Sequence, residues 1–167
     1  MADSGWRTVP GRAMHREGGA IVPGLRCTSP LDNTFHPSNI HSMEWEVEYT
    51  NEFNIWWEGL TEAEQEDIDA VVRVLEQRGP ALRRPYVGTI DGSRHANMKE
   101  LIVQHEGRPY RILFAFDPRR CAILLIGGDK TGNDRWYQEY VPIADKLYDD
   151  HLETWRREEE VRRREDR

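Results

Sequence analysis

The chain has 167 residues, which is enough for one ordinary domain and short for two. Apolar residues make up 38% and charged residues 32%, and the 6 Trp, 6 Tyr and 4 Phe can anchor a modest core, which argues against wholesale disorder. The formal net charge of −7 argues against a broadly basic nucleic-acid binder but leaves room for a local basic site.

The sequence predicts neither a membrane protein nor a secreted one. Its longest apolar run, 121–126, is far shorter than the ~20 residues that span a bilayer. No apolar stretch follows a basic start as in a secretory signal, and two cysteines make neither a disulfide framework nor a zinc site. We therefore expect a cytoplasmic protein.

The composition changes at residue 43. Residues 1–42 contain turn-forming pairs such as Pro10–Gly11 and Pro23–Gly24 and show no helical or strand period. Residues 1–42 are expected to be either a flexible, disordered N-terminal arm or an upstream extension ahead of a translation start at Met43. A folded domain over 43–152 and a charged helical tail over 153–167 are expected to follow.

The folded domain opens with a strand and two helices. Strict alternation over 44–49 predicts a strand with one wet face, and the spacing of apolar residues over 53–60 predicts a short helix that Gly59 ends. Thr61 and Glu64 form a capping box, which predicts the start of a second helix that Gly79–Pro80 closes.

The second half of the domain predicts a three-stranded antiparallel meander and a helix. A loop over 83–97 precedes strands at 98–104, 110–116 and 121–126, which are joined by short turns. The third strand is apolar throughout and is expected at the centre of the sheet. A final helix is expected to start near Val141–Pro142, with Pro142 at its first position. The fold class is therefore α+β.

Basic and hydroxyl side chains gather near the ends of the meander strands, at Lys99, Arg111, Lys130, Arg135 and Tyr137. Cations near a phosphodiester stabilise the charge that develops on its oxygens, so such a group suits metal-free RNA cleavage. Each residue taken alone also fits a structural role. We find no metal-ligand spacing, nucleotide-binding loop or other catalytic motif, and we expect no metal and no cofactor.

Several motifs in the second half of the domain agree in order and spacing with one known protein family. They are SRHANMKEL at 93–101, YRILFAFDPRR at 110–120, LLIGGDKTG at 124–132, WY at 136–137 and PIAD at 142–145. Together they resemble the RelE/ParE toxin superfamily, in its HigB-like, phage Gp49-like branch. The resemblance covers roughly 43–152 and implies a RelE-like fold.

The resemblance implies the toxin of a type II toxin–antitoxin module, a metal-independent endoribonuclease (an mRNA interferase) that cuts mRNA on the ribosome and inhibits translation. Its partner would be a helix-turn-helix antitoxin, through which alone it would meet DNA. Arg111, Lys130 and Tyr137 fall at catalytic positions, with Lys99 and Arg135 as phosphate contacts. Tyr137 would move a proton, with its pKa lowered by the charge of Lys130.

Two positions depart from the family pattern. Ile102 stands where many relatives carry arginine, and Thr131 follows Lys130 where ribonuclease members often carry a second basic residue. Two alternatives therefore stay open: a ParE-like inhibitor of DNA gyrase without catalysis, and a catalytically decayed module that only binds its antitoxin.

Overall fold

The computed structural model describes residues 7–8 and 44–167 and has an α+β architecture. The predicted arm over 1–42 lies outside the described residues, apart from a two-residue strand. Within the described residues, six strands and three helices follow in the order β1 (Arg7–Thr8), β2 (Val47–Tyr49), α1 (Asn51–Glu58), α2 (Glu62–Arg78), β3 (Val87–Thr89), β4 (Lys99–His105), β5 (Arg108–Phe116), β6 (Ala122–Asp129) and α3 (Trp136–Glu165). A 3₁₀ turn at Gly79–Ala81 follows α2.

The strands form one mixed sheet in the order β1-β2-β6-β5-β4-β3. The strands β4, β5 and β6 form the predicted antiparallel meander, and β6 lies between β5 and β2, which runs parallel to it. The central position predicted for the third meander strand is thus confirmed. Its apolar run suits this place because both faces of β6 are covered, one by α1 and the other by α3.

Two apolar layers hold the helices on the sheet. One layer packs α1 and α2 against one face of the sheet, and the other packs α3 against the opposite face. The helix ends follow the local sequence: the Thr61 side chain accepts from the Glu64 backbone, and the Glu64 side chain accepts from the Thr61 backbone at 2.7 Å. The predicted capping box is therefore confirmed, as are the ends of the two helices at Gly59 and Gly79.

Buried ionic groups add polar connections to these layers. On the α2 face, the Tyr110 hydroxyl donates to Glu64 Oε1 at 2.6 Å, and Arg108 lies 2.9 Å from the same oxygen. At the far end of β5, the fully buried carboxylate of Asp117 pairs with Arg119 at 2.6 Å and with His151 on α3 at 2.8 Å. These contacts satisfy charges that would otherwise be costly to bury.

Three predicted elements differ from the observed ones. The strand predicted from residue 44 begins only at Val47, and β3 lies inside the predicted loop over 83–97. The start of the last helix was predicted wrongly, since α3 begins at Trp136 and Pro142 lies inside it. The fully buried ring of Trp136 stacks on Tyr140 at 4.4 Å between centroids, and this burial favours an earlier first turn. The helix continues to Glu165 through the predicted tail.

Candidate functional site

Three of the predicted site residues meet on the α3 face of the sheet. Arg111 lies on β5, Tyr137 lies in the first turn of α3, and Lys130 follows β6 directly. The Lys130 backbone N–H donates to the carbonyl of Pro109 at 2.8 Å, which fixes this residue beside the start of β5. Residues separated along the chain are thus brought together by the meander and by the helix that covers it.

A carboxylate that the sequence analysis did not single out joins them. The Tyr137 hydroxyl donates to Glu100 Oε2 at 2.6 Å, and Arg111 Nε lies 3.5 Å from the same oxygen. The side chains of Glu100 and Arg111 are only 6% and 15% exposed. We call Glu100, Arg111 and Tyr137 the Glu100 cluster; it joins a carboxylate, a guanidinium and a phenol in a largely desolvated place.

The cluster keeps Tyr137 protonated at neutral pH. Burial raises the pKa of the Tyr137 hydroxyl, the hydrogen bond to Glu100 and its charge raise that pKa further, and Arg111 opposes them. Lys130 Nζ lies 5.1 Å from the centroid of the Tyr137 ring, over its face. The pKa of Tyr137 is therefore raised on balance rather than lowered, because its hydroxyl is partly buried and faces a carboxylate while the Lys130 ammonium contacts the ring.

The other two predicted residues are placed differently. Lys99 pairs in register with Phe114, which belongs to the core on the α1–α2 face, whereas its neighbour Glu100 points to α3. The structure therefore does not bring Lys99 into the Glu100 cluster. Arg135 is exposed and directly precedes α3, where its backbone N–H donates to Asn133 Oδ1 at 3.0 Å.

Small residues make room for the cluster and for the helix above it. A Cβ added to Gly88 on β3 would lie 2.7 Å from Glu100 Oε1, and one added to Gly128 on β6 would lie 2.8 Å from Trp136 Nε1. Both distances are shorter than real Cβ contacts allow. Glycine at these two positions lets the Glu100 carboxylate and the first turn of α3 approach the backbone of the sheet.

The loop before β4 anchors α3 in this position. Ser93 Oγ donates to Asp145 Oδ1 at 2.5 Å, Arg94 pairs with Asp149 at 2.5 Å, and His95 Nε2 lies 2.8 Å from the other oxygen of Asp149. The stretch SRH at 93–95 therefore clamps the helix rather than lining the cluster. The clamp holds the helix that carries Tyr137 over Glu100.

Over residues 44–167, no group of three or more His, Cys, Asp and Glu side chains is arranged to hold a metal ion. Among the helices of that same stretch, none is long and apolar enough to cross a membrane.

Comparisons with known proteins point to one family. Residues 55–149 match the family described as phage derived protein Gp49-like. The chain is 41% identical over 139 residues to "Putative toxin HigB2" of Mycobacterium tuberculosis, covering 78% of this chain and 68% of that protein. It is 45% identical over 98 residues to "Putative toxin HigB3" of the same organism, covering 58% of this chain and 84% of that protein. No solved structure matches it.

Proposed function

We propose that this chain, which belongs to the phage-derived Gp49-like family of HigB-like toxins, is a toxin that cuts mRNA on the ribosome. It is the toxin of a type II toxin–antitoxin module, acts in the cytoplasm and inhibits translation as a metal-independent endoribonuclease. The observation that carries this proposal is the Glu100 cluster together with Lys130, which lies over the ring of Tyr137. These residues place two cations and a hydroxyl close together on the α3 face of the sheet.

These groups suit the cleavage of RNA because RNA carries its own nucleophile. The ribose 2′-hydroxyl attacks the adjacent phosphorus once its proton is removed, and negative charge then develops on the phosphate oxygens. Arg111 and Lys130 stabilise this charge, and the exposed Arg135 guides the RNA backbone towards them. The Tyr137 hydroxyl takes part in the proton transfer.

The two departures from the family pattern have local explanations. Ile102 is half-buried on β4, and the Thr131 hydroxyl donates to Asp129 Oδ1 at 2.6 Å. Thr131 thus closes the turn that leads from β6 to α3 and leaves Lys130 as the basic residue against Tyr137. Arg111 of the cluster and Lys130 beside it are both retained, which favours catalysis over a decayed module.

The partner that fits this surface is an antitoxin that presents carboxylates to it. The protein carries a net charge of −7, so the Arg111 and Lys130 side chains form a basic site within an acidic whole. A helix-turn-helix antitoxin covers this site and neutralises the toxin, and the toxin meets DNA only through it. Crosslinks from the purified complex should therefore include residues next to Lys130.

Transcript cleavage on translating ribosomes tests the proposal directly. We expect Arg111→Ala to reduce cleavage about 10²–10³-fold, because a preorganised cation at a developing oxyanion is lost. Tyr137→Phe removes only the hydroxyl and should reduce cleavage ~10²–10⁴-fold. The exposed residues Arg83 and Tyr86 provide matched controls, and Arg83→Ala and Tyr86→Phe should cleave like the parent.

The outcomes separate the candidate functions. Parental cleavage by both Arg111→Ala and Tyr137→Phe would rule out this site. If the parent arrests growth without cutting transcripts and DNA breaks appear, the protein is a gyrase inhibitor instead. If the parent neither cuts transcripts nor arrests growth but still binds its antitoxin, the catalytic site has decayed.

A further inference from the structure

The bond between Tyr137 and Glu100 has a counterpart on the other face of the sheet. There Glu64 accepts from the Tyr110 hydroxyl at the same 2.6 Å and pairs with Arg108. That group has a structural explanation, since Tyr110 is only 2% exposed and Glu64 also caps α2. Both clusters combine a glutamate, an arginine and a tyrosine, but they lie on opposite faces of the sheet.

The two clusters differ in their tyrosines, because Tyr110 is buried whereas Tyr137 is only partly buried. Glu100 is 4% exposed, so its carboxylate is buried, but the Tyr137 side chain is only partly buried and carries Lys130 over its ring. The phenol therefore stands between a buried carboxylate and the place proposed for the scissile phosphate. A phenol oxygen that donates its own proton can still accept one on its remaining lone pairs.

This arrangement resolves a difficulty in the cleavage step. Because burial and Glu100 raise the pKa of Tyr137, the phenolate is scarce and cannot serve as a free base. The hydroxyl can nevertheless receive the substrate's proton while it passes its own to the carboxylate behind it. No phenolate then accumulates.

We propose that Glu100 is the proton acceptor of the cleavage step and that the proton reaches it through the Tyr137 hydroxyl. This proposal rests on the endoribonuclease function proposed above. The 2′-hydroxyl proton passes to Tyr137 Oη as the phenol proton passes to Glu100 Oε2. The bond from the 2′-oxygen to phosphorus forms and the bond from phosphorus to the 5′-oxygen breaks. The 5′-oxygen takes a proton from water, and the resulting hydroxide is neutralised by the proton that Glu100 returns through Tyr137.

The products of this step are defined. They are an RNA end with a 2′,3′-cyclic phosphate and an RNA end with a free 5′-hydroxyl, and water is regenerated. Arg111 lies 3.5 Å from the Glu100 oxygen that receives the proton and remains a cation throughout. Glu100 acts through Tyr137 and does not touch the RNA, so it is a positioning residue with a proton-accepting role.

Glu100→Gln tests the relay because glutamine keeps the volume and the acceptor oxygen but cannot take a proton. In single-turnover cleavage on ribosome–mRNA complexes, we expect a loss of ~10²–10⁴-fold near pH 7 with little change in KM. Between about pH 6 and 9, the variant's rate should rise about tenfold per pH unit because hydroxide replaces the carboxylate as the base. The parent's rate should change far less over this range.

Glu64→Gln is the matched control, since it alters the equivalent carboxylate of the counterpart cluster. It should keep the parental rate and pH profile per folded molecule. The double variant Glu100→Gln/Tyr137→Phe should lose no more activity than the more damaged single variant, because both residues serve one proton path. If Glu100→Gln does not melt cooperatively, Glu100→Asp replaces it and should be slower than the parent with the parental pH profile.

The outcomes distinguish a failure of the proton relay from a failure of the proposed ribonuclease function. If the parent cleaves and depends on Arg111, but Glu100→Gln has the parental rate and pH profile, the relay is overturned and the ribonuclease function stands. A Glu100→Asp rate that rises about tenfold per pH unit also overturns the relay. If the parent does not cleave at all, the relay falls together with the proposed function.

Discussion

Replacing Glu64 by glutamine isolates the contribution of one buried carboxylate to stability. The hydrogen bond from Tyr110 is the largest of the causes that lower the pKa of Glu64 from 4.5 to about 2, and the backbone bond from Thr61 adds to it. In glutamine the single side-chain oxygen can keep the bond from the Thr61 N–H, and the amide NH2 can donate to the Tyr110 oxygen. The substitution therefore removes the charge that pairs with Arg108, keeps the helix cap and reverses the hydrogen bond with Tyr110.

The magnitude and its pH dependence follow from the shifted pKa. The folded pKa lies below the ordinary value, so the stabilisation is complete above about pH 4.5 and is lost as the pH falls towards 2. A shift of that size corresponds to at most about 3 kcal/mol. Arg108 beside Glu64 is 41% exposed, and because solvent screens this site we expect about 1–2 kcal/mol at pH 7.

Urea denaturation followed by tryptophan fluorescence measures the effect. At pH 7 the parent should have a free energy of unfolding about 1–2 kcal/mol above that of Glu64→Gln, and most of this difference should be gone by about pH 3. Other carboxylates titrate in both proteins and cancel in the difference. A gap between the two proteins that is equal at both pH values would refute the reasoning.

Three further substitutions test the packing and a buried ion pair. A Cβ at Gly127 would overlap the Trp56 ring, so Gly127→Ala should cost about 1–3 kcal/mol in a thermal melt, whereas Gly59→Ala, with its nearest neighbour at 3.4 Å, should change stability by less than about 0.5 kcal/mol. Asp117→Asn removes one of the two buried carboxylates that pair with Arg119, the other being Glu48, and should destabilise the protein by about 3 kcal/mol in the same assay; a melt at the parental temperature would contradict this.

The sequence predicts the long, strongly patterned elements of this fold well, and for physical reasons. The meander and the capped helix α2 carry local signals that the tertiary structure reinforces. The three-residue strand β3 has no period to detect, and it forms because the edge of β4 is available for pairing. The start of α3 depends on burial of Trp136 against Tyr140 and on space above Gly128, which no local rule for Pro142 contains.

The candidate site was predicted in part. Arg111, Lys130 and Tyr137 meet as the meander implies, but Glu100 was not predicted as a member of this group and Lys99 lies on the other face of the sheet. Alternation on β4 contains the missing signal, because Glu100 shares its face with Met98 and Ile102 and is a lone charge among apolar neighbours. Such a charge needs a partner across the sheet or from the covering helix. Which partner it finds depends on the register of β5 and on the position of α3.

Residues 93–95 hold α3 at a point that is distant from Tyr137. Asp145, which Ser93 holds, lies eight residues beyond Tyr137, a distance of about 12 Å along the axis. Tilting the helix by about 5° about this pivot would displace the Tyr137 hydroxyl by about 1 Å, more than the ~0.5 Å within which a catalytic geometry is held. We therefore expect a change in the 93–95 loop to alter the length of the hydrogen bond between Tyr137 and Glu100, although the loop contacts neither residue.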